Sequence, residues 1–215
     1  MDRTAELDAY FERVGSGQYS GRYPNEVHLL TRGEAQKATA LFSGHPTIEA
    51  FGGIVLDDPE TSDHHVFATK SPIAGQVLYL SHDSDTRIVF ESLAGFADAA
   101  ERALEEGCFL SDLHPDLSPL CQDQPELVNL IETLCKNDRG EDVAVQLVPS
   151  LDLYNSELLE RLAVGDNFFL AEAVAIEIRK RPRPDLLHIA KQCCGHPHPQ
   201  VAKAGAAAVR AIREA

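Results

Sequence analysis

Residues 75–99, GQVLYLSHDSDTRIVFESLAGFADA, leave this chain few options. Val77 to Leu80 and Ile88 to Phe90 are short apolar runs rich in β-favouring residues. His82-Asp83-Ser84-Asp85 between them has the short polar side chains that close a turn. Ser92 stands where a helix N-cap belongs, ahead of Leu93, Phe96, Ala97 and Ala100 on one helical face. Gly107 ends that helix at the position where a left-handed residue is favoured. The order is therefore strand, acidic turn, strand, long helix.

The preceding residues extend the pattern. Leu7, Tyr10, Phe11 and Val14 share a helical face over Thr4 to Val14. A second helix is predicted from Gly33 to Phe42, ended by Ser43-Gly44-His45-Pro46, while Val27 to Leu30 reads equally as strand or helix. Further strands are predicted at Gly53 to Asp57, His65 to Thr69, Gln76 to Ser81 and Arg87 to Glu91. Residues 1–107 thus read as an α+β domain, an antiparallel sheet flanked by helices.

The strand Gly53-Ile-Val-Leu-Asp-Asp58, Gly75 before the strand Val77 to Leu80, and Ser92-Leu93 with Phe96 resemble the closing part of a SUKH-superfamily domain. That family includes fungal cell-wall-synthesis regulators and bacterial toxin-immunity proteins. The resemblance implies a protein-binding domain without a catalytic centre, and it carries no particular functional residue onto this chain.

Residues 108–124 hold two Pro and several Asp, with Pro125 immediately after, and read as a linker or irregular bridge. From 125 to 215 only helices are expected. Leu158 to Ile178 and Leu186 to Ile212 each show a Leu-Leu start, a Gly-containing break and a second helix rich in Ala, Val and Ile. Glu126 to Lys136 with Glu141 to Val148 forms a divergent third unit. The run HPHPQVAKAGAAAVRAI resembles the second helix of a HEAT-like repeat. The expected architecture is an α+β domain followed by an all-α HEAT-like helical-repeat region.

Charge narrows the function. The net charge is −15, which disfavours nucleic acid because phosphate contacts need Lys and Arg. Residues 1–174 hold 31 acidic against 11 basic side chains, whereas residues 175–215 hold 3 against 8. An acidic face of this kind attracts a basic partner. No apolar run approaches the length needed to span a bilayer, and five Cys without a secretory signal fit a reducing cytoplasm.

Two clusters invite chemistry. Cys193-Cys194-Gly195-His196-Pro197-His198 has zinc-ligand residue types, but adjacent Cys lack the spacing that turns two thiolates toward one ion, and both fit helix stripes. Asp57, Asp58, His64, His65, His82, Asp83 and Asp85 could line one end of the sheet. Such carboxylates and imidazoles suit a divalent ion and a metal-dependent hydrolase; they equally suit turns that meet a partner. The leading expectation is a non-enzymatic protein-binding module of the toxin-immunity or regulatory kind. Those seven residues would face a protein partner, without cofactor or metal. The alternatives are a helical-repeat scaffold and the hydrolase.

Overall fold

The computed structural model describes residues 3–17, 19, 27–57, 61–82 and 86–215. The chain divides into two compact units, Met1–Pro119 and Leu120–Ala215.

The first unit is α+β. Helix α1 (Arg3–Ser16) is followed by α2 (Arg32–Leu41) and α3 (Pro46–Phe51). Strands β1 (Ile54–Val55), β2 (His64–Phe67), β3 (Val77–Leu80) and β4 (Arg87–Phe90) form an antiparallel meander in the order β1-β2-β3-β4. Helix α4 (Leu93–Glu106) closes it. Val27 to Leu30 resolves as extended chain beside β1: Leu29 bridges Asp57, and the Leu30 N–H donates to the Leu56 carbonyl. Helix α3 is absent from the sequence reading. Pro46, read there as a stop, instead occupies the first turn of a new helix, where its missing N–H costs nothing.

Side chains of a strand alternate between faces. On one face Phe67, Val77, Val89 and Phe90 pack with Tyr10 and Val14 of α1 and with Leu93, Phe96 and Ala100 of α4. On the other, Val55, Val66 and Leu80 pack with Ala35 and Ala38 of α2 and with Ile48. All four residues of β2 are consequently buried. The Ser92 hydroxyl accepts from the Gly95 N–H at 3.1 Å, and Gly107 ends α4 at φ 68°. Across α1 and α4, Arg13 donates to Glu101 at 3.1 Å and to Asp98 at 2.8 Å, while the Tyr19 hydroxyl donates to Glu101.

The Pro/Asp-rich stretch divides between the two units. Its first part belongs to the sheet unit. Leu110, opening a 3-10 turn over Leu110–Leu113, is buried in the core. Arg87 of β4 donates to the Pro115 carbonyl at 2.7 Å and to the Ser118 hydroxyl at 3.3 Å. Its last residues belong to the helical unit, where the Cys121 N–H donates to the Ser150 carbonyl.

The second unit comprises three helix pairs: α5 (Gln124–Leu134) with α6 (Asp138–Leu147), α7 (Ser156–Val164) with α8 (Phe168–Lys180), and α9 (Leu187–Cys194) with α10 (Pro199–Glu214). Partners pack together within each pair; α6 and α10 both pack on α8, and α7 packs on α9. The first helices begin 32 and 31 residues apart, at Gln124, Ser156 and Leu187. The 28-residue spacing of the Leu-Leu pairs understates this, because Leu186 lies in a 3-10 turn ahead of α9. Asp123, Asn155 and Asn167 cap α5, α7 and α8 through their side-chain oxygens.

The basic run that ends α8 proves structural. Glu177 is buried and accepts from Lys180 and Arg181, each at 2.9 Å. Arg181 and Arg183 reach the carbonyls of Pro149 and Leu153 at 3.2 and 2.8 Å. These cations supply donors to a turn that lacks helical ones, besides complementing the helix C-terminus.

Candidate functional site

The His/Asp cluster lies inside the first unit. Asp57 follows β1, and its carboxylate turns back over the start of β2. Its Oδ1 accepts the His65 N–H at 2.8 Å, and its Oδ2 lies 2.5 Å from His65 Nδ1. The other ring nitrogen, His65 Nε2, lies 2.8 Å from His114 Nε2. A carboxylate, two imidazoles and their bonds thus run in series from β1 through β2 to residues 108–119. Tyr79, Phe90 and Phe96 surround the His65 ring, with centroids 5.0 to 6.1 Å away.

Burial and the neighbouring His65 and Arg87 push His114 down to about 3. The geometry agrees: two Nε2 atoms in hydrogen-bond contact share one proton, since two facing N–H groups would repel. Tyr10 completes this interior. It is buried, its hydroxyl has no hydrogen-bond partner among the described residues, and burial followed by Asp57 and Tyr19 holds it well above the usual phenol range.

A second knot forms around Asp63, immediately before β2. Its carboxylate accepts from the Tyr79 hydroxyl at 3.0 Å, the Ser81 hydroxyl at 3.1 Å and the His82 N–H at 2.7 Å. Burial alone would raise the Asp63 carboxyl, but these donors outweigh it and hold it below the usual range.

Of the seven residues singled out from the sequence, the four that are described, Asp57, His64, His65 and His82, fall in three places. Asp57 and His65 come together, but internally, and His65 is only 3% exposed. His64 points to the opposite face of the sheet, 2% exposed, with its ring edge on Phe42 at 4.8 Å. Both His were expected to face a partner. The correction follows from β2 lying between two helical layers, which puts its first two residues in the interior whichever way they point. His82 is exposed. Asp58, Asp83 and Asp85 lie outside the described residues. Sequence reading missed His114, 49 positions from His65 and embedded in the supposed linker. It also missed Asp63, although an Asp before His64-His65 was a local signal.

Chemically, the Asp57–His65 pair orients an imidazole as a base-orienting dyad does. Here the outward nitrogen is already engaged by His114, so the arrangement holds β1, β2 and residues 108–119 together. In the Cys/His segment, the Cys193 thiol faces the Ala171 carbonyl at 3.8 Å, and burial pushes it up to about 12. Its neighbour Cys194 is exposed, and His198 stacks on Phe168 at 3.8 Å. Among the described residues no group of three His, Cys, Asp or Glu converges on a point suited to a metal ion, and no helix is long and apolar enough to cross a membrane. No family model, curated protein or solved structure matches the chain.

Proposed function

We propose that this chain is a non-enzymatic protein-binding module that engages a basic protein partner through its sheet unit, in a neutralising or regulatory role. One observation carries the reading: the distribution of charge between the units. Residues 1–119 hold 20 acidic against 8 basic side chains, while residues 120–215 hold 14 against 11. Nearly all the excess negative charge belongs to the α+β unit. A surface of one sign accelerates encounter with a partner of the other and repels like-charged competitors. The resemblance to SUKH domains, a protein-binding family, points the same way.

The residues proposed to meet the partner are exposed His82 and, from the sequence, Asp58, Asp83 and Asp85; Asp57, His64 and His65 serve the interior of the same unit. The test is affinity capture on the immobilised full chain at low salt, followed by a salt gradient and mass spectrometry. The expected outcome is a basic protein that elutes as the screening length falls from about 10 Å at 0.1 M to about 3 Å at 1 M. It should re-form a defined complex when both proteins are pure. Recovery of only acidic partners, held independently of salt, would contradict the proposal.

A further inference from the structure

We infer that the helical unit carries a separate docking groove for a partner segment that combines a Lys or Arg with an apolar side chain. The groove, of about 610 Å³, opens among α5, α6, α7 and α8. Leu158, Leu162 and Leu170 line it and are otherwise 1–6% exposed, so its floor is apolar. Four carboxylates line it too: Glu132, Glu141, Glu157 and Asp166, against two cations, Lys136 and Arg161. The wall is net negative over an apolar base.

Arg161 shows what such a wall accepts. Its guanidinium pairs with Glu132 of α5 and, at 2.9 Å, with Glu157 of α7. A planar cation thus already fits between carboxylates from two helices. Glu141 is engaged by Asn167 at 2.7 Å. Asp166 is exposed and has no ion-pair partner among the described residues. Val164 and Phe169, next in sequence to the lining residues Gly165 and Leu170, are 62% and 49% exposed. An exposed aromatic one residue from the lining of an apolar, acid-rimmed groove suits a peptide-anchor site. Charge complementarity therefore selects the occupant: an apolar residue on the leucine floor, and a cation a few positions away on Glu157 and Asp166.

The inference rests on the reading that the partner is a protein, but it places contacts on different residues, so the two fail separately. The probe is a library of random 12-residue peptides displayed against the full chain. Enriched peptides are then synthesised and titrated. Peptides pairing Lys or Arg with a nearby apolar residue should dominate. Glu157→Lys/Asp166→Lys should weaken them by about tenfold or more, as loss of complementary charge at a docked cation does. Phe169→Ser should weaken them independently, through lost apolar contact. Both positions of the charge variant are exposed, so its melting temperature should stay near wild type. Glu105→Lys, at an exposed position of α4 in the first unit, should leave binding unchanged. An absence of enriched peptides overturns the inference. So do peptides that bind Glu157→Lys/Asp166→Lys as tightly as wild type, or that lose as much to Glu105→Lys.

Discussion

His65 is held at both ring nitrogens, by Asp57 on one side and His114 on the other, and this fixes how the first unit responds to acid. His114 is depressed to about 3 when folded, against an ordinary histidine value of 6.5. Between these values the unfolded chain takes up a proton at this position and the folded chain does not. The stability contributed by neutral, buried His114 is therefore fully present above about pH 6.5 and is lost as pH falls through the window down to about 3, by at most about 1.4 kcal/mol per pH unit. His45, lowered by burial, adds to the same trend. Asp63, Glu34 and Glu101 are carboxyls held low, so their contributions fall away at more acid pH. Replacing His114→Phe should lower stability at pH 7.5, because His65 Nε2 loses its partner, and should flatten the dependence between pH 6.5 and 5. Urea unfolding at half-unit pH intervals measures both. A variant with the wild-type slope would remove His114 from this role.

Helix α10 meets α9 in very close contact at Gly205. A Cβ placed on Gly205 would lie 2.5 Å from the Cys193 carbonyl carbon and 2.8 Å from Cys193 Cβ, and would also strike the Cys194 nitrogen. The obstacle is backbone, which cannot swing aside. Gly205→Ala should therefore destabilise the helical unit by about 1–3 kcal/mol, despite Ala's better helix propensity. A rise in thermal stability would show that the two helices can separate without cost. This contact was partly legible: Val201, Ala204, Gly205, Ala208 and Ile212 form a visible stripe of small and apolar residues, all buried except the half-buried Ala204. The cap and stop of α4 were legible as well, because Ser92 and Gly107 act through their own local geometry. What was hidden depends on tertiary layering. Period-2 patterning cannot mark β2 as buried on both faces when its first two residues are His. Nor does any local signal tie His114 to His65. Pro and Asp punctuate ordered irregular chain just as they punctuate a linker, so the sequence left 108–124 open between the two.

At the scale of the whole molecule, one chain joins an acidic α+β unit to a nearly charge-balanced helical unit. In the proposed function long-range attraction belongs to the first, and in the proposed groove short-range apolar anchoring belongs to the second. Attraction between exposed charges acts mainly on the encounter rate, whereas buried contacts set the lifetime of a complex. The decisive measurement is the association rate of the purified basic partner over a salt series, for wild type and for Asp83→Lys/Asp85→Lys. Wild-type association should fall by about tenfold or more between 0.05 and 0.5 M salt. The double variant should start slower and depend less on salt, while dissociation changes far less. Association rates that ignore salt and are identical in the two proteins would contradict recruitment by the acidic sheet unit.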